Sequence, residues 1–427
     1  MSKIVIIGGG FAGLSSAVFL SNKNHTVHLL EASPKLGGRA YSFYNEKYDD
    51  VIDNGQHLMM GCYKNSLGFF ELIGASKKVI VQKKMKVIFR DRNRKTFSLK
   101  SSNNFYPFNL IFALLNYEAV SLKERIEILK LFVKLPFVSY AKLSQMNLAD
   151  WLDQNGQSKE SRKALWDILC VGTLNTKSQN AAANIFALVL KKVFLNGNKS
   201  SLFIIPSVGL SSLYCEPAVE FILQRGGTVT LSEKVIGVVE HDNKLIKIIT
   251  DKREITGFDF VISAVPHFQY KKIFNLAHNE DADNLEYSPI ITMHLWLKEN
   301  PFHEKFFGMI DSKIHWLFNH EKHISLITSD AAELVKLKAE EIFEIYMNEL
   351  SEYFPEFNRD FVKDYIVLKE KRATFVPSIS SKFIREKVIS QYKNLILAGD
   401  WTNTGLPSTI ESAVQSGKLV ADKIIRE

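Results

Sequence analysis

Hydrophobic residues at the start of the chain follow the order of a strand, a helix and a second strand. Residues 3–7 (KIVII) form an apolar, β-branched run, which is typical of a strand buried on both faces. Leu14, Ala17 and Val18 then recur at helical spacing. A second apolar run follows at 26–30 (TVHLL). The pattern predicts a βαβ unit, which places the two strands side by side in a parallel sheet.

Strand-like patterns return in the second half of the chain. They are predicted near 226–231, on both sides of a turn at Asp242-Asn243, and at 258–266, 287–298 and 395–400. The last run ends at an acid, Asp400, and after a loop a helix is predicted from Thr409 onward. The two ends of the chain therefore share the alternation of strand and helix that is typical of α/β proteins.

The middle of the chain, from about residue 103 to residue 194, has a helical pattern. Ser121 and Glu124 have the spacing of a capping box, which predicts a helix start. The apolar residues that share one face of this helix are Leu122, Ile126, Leu129 and Val133. The plain interpretation is that this face packs in the core. The alternative is that the aromatic run at 105–115 and this basic helix form a membrane-facing entrance for an apolar substrate.

Three glycines follow the first predicted strand directly. Gly8, Gly10 and Gly13 fit the pattern G-x-G-x-x-G, which allows a tight turn, close approach of a pyrophosphate to the backbone, and close packing of helix on strand. Glu31 ends the second strand, 18 residues after Gly13. A carboxylate at this position bonds ribose hydroxyls and repels a 2′-phosphate. The pattern predicts a dinucleotide site that disfavours NADP.

Length and composition limit the possible classes of protein. At 427 residues the chain is long enough for two domains, and its 46% hydrophobic and 23% charged residues are ordinary for a globular protein. The widely spaced Cys62, Cys170 and Cys215 predict neither a disulfide framework nor a metal site, and fit a reducing compartment. The first strand begins at once, leaving no room for a signal peptide, and no apolar run approaches ~20 residues. We predict a cytoplasmic protein.

The net charge of +8 is partly concentrated in one segment. Between Ser76 and Lys100 there are ten Lys or Arg residues against one acid, Asp91. The plain interpretation is a solvated hairpin that turns near 91–94. The alternative is a surface attracted to anionic lipid, which would give peripheral contact with the inner face of the membrane. Nucleic acid is disfavoured as a partner because the segment belongs to no nucleic-acid-binding motif.

Several motifs spread over the chain resemble the superfamily of FAD-dependent amine oxidases and phytoene desaturases. They are Gly8–Gly13, Glu31, Gly37-Gly38-Arg39, Val235, Ala264-Val265-Pro266 and Ala398-Gly399-Asp400. The resemblance implies an α/β fold: a Rossmann-like FAD-binding domain of the GR2 type with a discontinuous α+β substrate domain. We expect residues 1–75, 200–270 and 385–427 to form the FAD-binding domain. Residues 76–199 and 271–384 would then form the substrate domain.

Other motifs resemble the hydroxysqualene dehydroxylase family within that superfamily. They are Asp53-Asn54-Gly55-Gln56-His57 with Gly61 and Tyr63, Leu174-Asn175-Thr176, Lys371-Arg372-Ala373-Thr374-Phe375, and 399–411. This resemblance implies reductive dehydroxylation of hydroxysqualene, a long apolar isoprenoid, to squalene. The alternatives are desaturation of a carotenoid precursor such as phytoene, another flavoenzyme of the amine oxidase type, and a non-catalytic protein that binds lipid surfaces. The electron donor stays unknown at this point.

The resemblance also implies roles for individual residues. The backbone of Gly8, Gly10, Phe11, Ala12 and Gly13 would hold the FAD pyrophosphate, with Glu31 on the ribose, Gly38-Arg39 along the pyrophosphate and Val235 at the adenine. Asp400 would bond the pyrophosphate–ribityl region, and Thr409-Ile410 and Gly55-Gln56-His57 would lie near the flavin ring. No cysteine follows Cys215, which favours non-covalent FAD.

Candidates for the chemistry itself are few, and no metal is expected. His57 is the leading candidate for the acid that protonates a leaving hydroxyl, beside Gln56 in the same loop. Arg372 stays charged and would orient substrate or cofactor. The aromatic rings of Trp296, Trp316 and Phe375 are candidates for stabilising a carbocation.

Overall fold

A parallel sheet of five strands lies at the centre of the first of two layered regions. The computed structural model describes residues 1–274 and 284–427. In spatial order the strands are β10 (Thr228–Thr230), β2 (Thr26–Leu30), β1 (Lys3–Ile7), β14 (Phe260–Ser263) and β20 (Leu395–Leu397). All neighbouring pairs are parallel. The predicted βαβ unit is confirmed, with helix α1 (Phe11–Ser21) between β1 and β2.

The last helix of the chain packs directly against α1. This helix is α14 (Ile410–Arg426), and it begins where the sequence predicts it. A Cβ atom at Gly417 would lie 2.2 Å from Ser15 Oγ and 2.7 Å from Ala12 O. Only a glycine allows the two helices to approach this closely, since any larger side chain would collide with backbone. The two ends of the chain therefore meet behind the parallel sheet.

A mixed sheet of seven strands forms the second region. In spatial order its strands are β19 (Val362–Phe375), β15 (Tyr287–Leu297), β18 (His323–Thr328), β17 (Trp316–Asn319), β16 (Phe306–Met309), β7 (Lys86–Arg90) and β8 (Thr96–Lys100). Only the β16–β7 pair is parallel. Helix α12 (Ala339–Tyr353) covers one face. The α/β fold class is confirmed, with a Rossmann-like parallel sheet beside an α+β region.

Three smaller sheets connect these layers. They are β3 (Ser42–Asn45) with β4 (Asp50–Asp53); β5 (Met59–Met60), β9 (Phe203–Pro206) and β6 (Val79–Val81); and β11 (Val235–His241), β12 (Lys244–Thr250) and β13 (Glu254–Ile255). The turn predicted at Asp242-Asn243 joins β11 to β12, and both residues have positive φ (52° and 59°). Asp and Asn tolerate this left-handed conformation better than most residues.

Most of the remaining helices lie in one segment of the chain, between residues 108 and 194. The helices not yet named are α2 (Lys64–Leu72), α3 (Phe108–Leu115), α4 (Leu122–Lys134), α5 (Tyr140–Leu143), α6 (Leu148–Gln154), α7 (Lys159–Ser161), α8 (Asp167–Leu174), α9 (Ala183–Phe194), α10 (Glu216–Gln224), α11 (His267–Phe274) and α13 (Ile379–Lys387). The capping box at the start of α4 is confirmed, because Ser121 Oγ accepts from Glu124 N and Glu124 Oε2 accepts from Ser121 N at 2.7 Å.

The core-facing side predicted for α4 is wrong. Leu122, Ile126 and Val133 are 61%, 43% and 69% exposed. The buried residues of α4 are Ile128 and Leu131, which belong to the core cluster of the helical segment. The helix carries two apolar stripes on opposite faces, since residues repeat every 3.6 positions per turn. Leu129, the fourth residue of the predicted face, is half-buried and packs against that cluster. The interpretation of the stripe as core therefore fails for the other three residues, whose aliphatic side chains face solvent.

The basic segment at 76–100 contains the predicted hairpin, β7–β8. Its turn includes Arg94, with a φ of 63°. Arg90 forms an ion pair with Glu356 (3.2 Å), just after α12. Arg92 forms one with Glu352 (3.3 Å), in the last turn of α12. Much of the positive charge of the turn is therefore balanced within the molecule, which favours the plain interpretation of a solvated hairpin over a lipid-binding surface at this site.

Histidines are buried together on the mixed sheet. His294 on β15 bonds Ser325 Oγ through Nδ1 at 2.9 Å. His323 on β18 bonds Asp50 Oδ2 at 2.8 Å, and the His320 ring stacks on it with centroids 4.6 Å apart. Burial lowers the pKa of His294 and of His320 to about 3. These rings are therefore neutral near pH 7.

We predict that acid destabilises the fold through its buried histidines. Burial lowers the pKa of His57 and His315 to about 4, and of His294 and His320 to about 3. Below about pH 6.5 the unfolded chain binds protons that the folded chain does not. The free energy of unfolding should fall from about pH 6.5 to pH 4, by up to about 1.4 kcal/mol per pH unit for each histidine. Urea titrations at each pH measure this slope.

One substitution isolates a single histidine in this experiment. His320→Gln should reduce the slope by up to about 1.4 kcal/mol per pH unit, the contribution of one proton, because a glutamine does not titrate. His303→Gln, at an exposed position, is the matched control and should leave the slope unchanged. An identical slope in the His320→Gln variant would contradict the prediction.

Candidate active site

The glycine-rich loop after β1 has the close approaches that the pattern predicts. Gly8 has a φ of 107°, and a Cβ atom there would lie 3.0 Å from Ala264 O. A Cβ atom at Gly13 would lie 1.9 Å from Gly8 O. Neither position accommodates a side chain. The first and third glycines are therefore required by the turn and by the packing of α1 on the sheet.

The second glycine differs because a Cβ atom there would make only ordinary contacts within the protein. The nearest atom to a Cβ placed at Gly10 is Gly38 Cα, 3.8 Å away. Helix α1 starts next, at Phe11 and Ala12, with no side-chain cap at Gly10 and no acid in its first turn. The first N–H groups of a helix have no partner inside the helix, and they attract anions. The loop therefore fits the pyrophosphate of a dinucleotide.

Glu31 lies at the end of β2 beside this loop. Its Oε2 accepts a hydrogen bond from Gly9 N at 2.7 Å, and its Oε1 accepts one from Ser33 N at 2.8 Å. The Glu31 carbonyl accepts from Glu233 N at 3.0 Å, which brings the start of β11 alongside. Val235 follows, with its side chain buried at 4% exposure. The two residues predicted to bind the adenosine are close together, and their roles stay predictions.

An ion pair joins the two motifs at opposite ends of the chain. Arg39 Nη2 pairs with Asp400 Oδ1, and Arg39 Nη1 donates to Ala373 O at 3.0 Å. Ser408 Oγ donates to Asp400 Oδ2. Burial raises the pKa of Asp400, but the Arg39 charge and the two side-chain hydrogen bonds more than offset it, so the net pKa lies below the usual range. Asp400 is therefore a carboxylate at neutral pH.

A second arginine supports the loop that contains Asp400. The Arg385 side chain is 3% exposed and donates to Asp400 O (3.2 Å), Thr402 O (3.1 Å from Nε) and Thr404 Oγ1 (3.1 Å). Its guanidinium lies 4.5 Å from the centroid of the Phe375 ring. Burial lowers the pKa of Arg385 to about 10, so it stays protonated at neutral pH. Sequence reasoning missed this residue, which looks like any basic residue of an amphipathic helix.

The loop after β4 is fastened to the Arg39 segment by one asparagine. Asn54 Nδ2 donates to Arg39 O at 3.0 Å, and Asn54 Oδ1 accepts from Tyr41 N at 3.0 Å. The Asn54 backbone N also donates to Tyr41 O at 2.9 Å. From the mixed sheet, His294 Nε2 lies 3.0 Å from Asp53 O. The loop is thus held by contacts from both regions. No local sequence pattern predicts the contact of His294.

The next residues of this loop include the predicted catalytic candidates. A Cβ atom at Gly55 would lie 3.6 Å from Thr292 Oγ1 and 3.9 Å from His57 Nε2. His57 Nε2 is shielded from solvent and has no hydrogen-bond partner among the described residues. Burial lowers the pKa of His57 to about 4. Gln56 is half-buried beside it. An unpartnered buried nitrogen is costly, so it fits a site that a cofactor or substrate completes.

The start of α14 is tied to the start of α2. Thr409 caps α14 by accepting a backbone N–H, and Ile410 is half-buried next to it. The Glu411 carboxylate accepts four hydrogen bonds, from N and Nδ2 of Asn65 (3.0 and 2.9 Å) and from N and Oγ of Ser66 (2.9 and 2.7 Å). A carboxylate at a helix N-terminus is favoured by the free N–H groups there. This contact fixes Thr409-Ile410 relative to the loop that precedes α2.

Two other predicted motifs bond one another. Asn175 ends α8 with a φ of 49°. Its Nδ2 donates to Thr374 Oγ1 at 2.9 Å and to Ser288 O at 3.2 Å, and its Oδ1 accepts from Asp330 N at 2.6 Å. Next to this motif on β19, Arg372 is exposed, with its guanidinium 4.3 Å from the Phe268 ring centroid. The helical segment is thereby fixed to the end of the mixed sheet.

The three aromatic rings proposed for carbocation stabilisation lie in separate environments. Trp296 stacks on Tyr48 with centroids 4.5 Å apart. Trp316 packs near Phe306, 6.4 Å away, in the helical core cluster. Phe375 is fully buried against a guanidinium. The structure therefore does not gather these rings at one point. Among the described residues no group of His, Cys, Asp and Glu side chains could hold a metal ion.

Comparison with known proteins agrees with this arrangement. The sequence matches the family of flavin containing amine oxidoreductases over residues 11–425. The chain belongs to this family. Its members are FAD-dependent oxidoreductases, and the uncapped start of α1 and the unpartnered His57 Nε2 fit such a cofactor.

Two relatives and one solved structure illustrate the range of the family. The chain is 28% identical to a hydroxysqualene dehydroxylase of Zymomonas mobilis, over 99% of each chain. It is 25% identical to a 15-cis-phytoene desaturase of Solanum lycopersicum, over 100% of this chain and 78% of the other. The structure of a putative protoporphyrinogen oxidase from Exiguobacterium superposes with a TM-score of 0.73 at 17% identity, covering 100% of this chain and 99% of the other. This last similarity concerns the fold.

We predict that Asn54 determines how tightly the protein holds FAD. Asn54→Ala removes two side-chain hydrogen bonds that position the Arg39–Tyr41 backbone. Each such bond is worth about 1 kcal/mol net, so FAD affinity should fall by about 10- to 30-fold. Titration of the apoprotein with FAD, followed by flavin fluorescence, measures the change. Asn93→Ala, in the exposed hairpin turn, is the control and should bind FAD like the unaltered protein. Equal affinity of both variants would contradict this role.

Proposed function

We propose that the protein reduces hydroxysqualene to squalene, replacing an allylic hydroxyl by hydrogen. The observation that carries the proposal is the similarity to a hydroxysqualene dehydroxylase over 99% of both chains. The similarity to the tomato phytoene desaturase covers 78% of that protein. The identity to the dehydroxylase, 28%, is higher than the 25% identity to the phytoene desaturase, and this favours a dehydroxylase, whose substrate is a long apolar isoprenoid.

The reaction needs a hydride, a proton and a dry site. When bound, reduced FAD supplies the hydride, which carries both electrons. The proton goes to the hydroxyl oxygen, the C–O bond breaks and water leaves, while a new C–H bond forms at the same carbon. The protein's own tasks are to hold the allylic carbon in place, to exclude bulk water and to deliver the proton. The buried His57 Nε2 and the nearby Thr292, 1% exposed, are polar groups in a shielded setting of this kind.

We propose that the predicted FAD contacts act as the family resemblance implies. Uncapped N–H groups at the start of α1 would bind pyrophosphate, and Arg39 would add positive charge beside it. Glu31 would bond the ribose, and the Val235 backbone would meet the adenine. In the same proposal, 1–75, 200–270 and 385–427 bind FAD, and 76–199 with 271–384 bind substrate. The enzyme would work in the cytoplasm, with peripheral contact at the inner face of the membrane.

His57 is better suited to forming a hydrogen bond than to donating a proton. With its pKa lowered to about 4, about one His57 ring in 10³ is protonated at pH 7. A neutral imidazole offers one N–H donor and one acceptor, which suits a hydrogen bond to cofactor or substrate. An anionic group within about 4–6 Å would raise this pKa and restore the acid role. We propose the hydrogen-bonding role, with Gln56 beside it, while Arg372 orients substrate or cofactor.

A single anaerobic turnover tests the proposed reaction. The purified flavoprotein is reduced with dithionite, mixed with hydroxysqualene in detergent, and followed through the flavin absorption band. We expect reoxidation of the flavin together with squalene in equal amount, measured by mass analysis of the extracted lipid. The oxidised enzyme mixed with phytoene is the comparison. A flavin that stays reduced with hydroxysqualene, and oxidised flavin that is bleached by phytoene, would replace the proposal by the desaturase reaction.

Two substitutions at one position separate the roles of His57. His57→Gln keeps an N–H donor but cannot carry the titrating proton, whereas His57→Ala removes both. For a hydrogen-bonding role we expect His57→Gln to keep turnover within about tenfold and His57→Ala to lose more. For an acid, both variants would lose about 10²- to 10⁴-fold at unchanged flavin content. Single-turnover rates and the flavin absorbance of each purified variant decide between them.

A further inference from the structure

Helix α4 exposes an apolar stripe opposite its buried face. Leu122, Ile126 and Val133 are exposed, whereas Ile128 and Leu131 are buried. At about 100° per residue the first three lie on one side of the helix and the last two on the other. A helix of a globular protein ordinarily has one apolar face and one polar face. The second apolar face of α4 is left exposed by the described part of the chain.

The neighbouring helix extends this apolar surface with aromatic rings. Phe105, Phe108 and Phe112 precede or lie on α3 at helical spacing, and they are 75%, 46% and 42% exposed. The Phe105 and Phe108 rings contact one another with centroids 5.2 Å apart. Helix α3 packs against α4, and just beyond α4 the Phe137 side chain is 86% exposed. Exposed apolar side chains that lie in one part of a molecule are typical of an interaction surface.

Positive charge borders the apolar stripe of α4. Lys123, Lys130 and Lys134 are exposed and lie about a quarter turn from the stripe. Of the two acids on this helix, Glu124 accepts hydrogen bonds from Ser121 N and Ser158 Oγ. The other acid, Glu127, is a single negative charge against the three lysines. Lysines beside Leu, Ile, Val and Phe are the composition of a helix that lies in the interface of an anionic bilayer.

We infer that the exposed phenylalanines of the α3 region and the apolar stripe of α4 dock the protein on an anionic lipid surface. The lysines meet the lipid headgroups, and the rings enter the boundary of the acyl chains. A second copy of the chain fits this surface less well, because a two-fold interface would set the lysine row against itself. Among the described residues no helix could cross a bilayer, so the contact is peripheral. The benefit of such docking rests on the proposed function, because a long hydrocarbon substrate dissolves in the bilayer.

Vesicle co-sedimentation of the holoenzyme tests the inference without any substrate. The probes are vesicles of phosphatidylcholine alone and vesicles containing about one third phosphatidylglycerol. We expect binding to the second kind that weakens with salt. The triple variant K123E/K130E/K134E should lose about 100-fold in partitioning, at roughly fivefold per lysine. F105S/F137S should lose at least tenfold on the same vesicles. Absence of binding by the unaltered holoenzyme would overturn the inference.

Matched variants control for charge and for exposed apolar area. K252E/K418E/K423E changes three exposed lysines elsewhere, and Ile236→Ser changes an aliphatic residue that is 53% exposed on β11. Both controls should bind like the unaltered protein, and flavin absorbance should be equal in all variants. Control variants that lose as much binding as the test variants would overturn the inference. So would sedimentation analysis in which F105S/F137S converts a dimer to a monomer, because the surface would then bind a second copy.

Turnover separates this inference from the proposed function. With hydroxysqualene in detergent, the lysine and phenylalanine variants should turn over at the unaltered rate. With the substrate in anionic vesicles, their rate should fall in proportion to binding. If no protein turns over hydroxysqualene, the reaction is wrong, yet the vesicle binding still decides the docking surface. If the variants bind normally while turnover is intact, the docking surface is wrong and the reaction stands.

Discussion

The ion pair between Arg39 and Asp400 joins residues 361 positions apart, and the candidate site is built around it. A buried carboxylate such as Asp400 is stable only when its charge is compensated, and here Arg39 and Ser408 compensate it, while Ala373 O bonds Arg39. Arg385 then holds the Asp400 backbone from a separate helix. The result is a fixed carboxylate and a fixed guanidinium next to the glycine loop. Such preorganised charge favours binding of a charged, polyhydroxylated ligand, since no rearrangement is needed on binding.

Contacts between loops extend this arrangement to the region around His57. Asn54 fastens its loop to the Arg39 segment, and His294 reaches the same loop from the mixed sheet. Glu411 links the start of α14 to the start of α2 with four hydrogen bonds. The candidate site is therefore set between two sheets by polar contacts to backbone atoms. Chemistry at a flavin requires fixed surroundings of this kind, because the protein contributes the distance between flavin and substrate and the exclusion of water.

Elements whose formation depends on residues close together in the sequence were predicted correctly. The strands β1 and β2 and the helix start at Thr409 follow from β-branched runs and capping chemistry. The orientation of α4 could not be predicted, because both of its faces are apolar and only the packed cluster around Ile128 distinguishes them. His294 was missed because its partner, Asp53 O, is a backbone atom 241 positions away. Neither composition nor periodicity carries information about such a contact.

The order of strands in the parallel sheet has a consequence for biosynthesis. Strands β1 and β2 leave the ribosome well before β20 and Asp400, which lie far later in the chain. Nascent chains fold from the N-terminus, domain by domain. Until residues 395–427 emerge, Arg39 lacks its ion-pair partner Asp400, and α1 lacks the helix that covers it. The candidate nucleotide site is thus completed long after its glycine loop has been made, so a chain truncated before residue 395 would lack both Asp400 and the helix that covers α1.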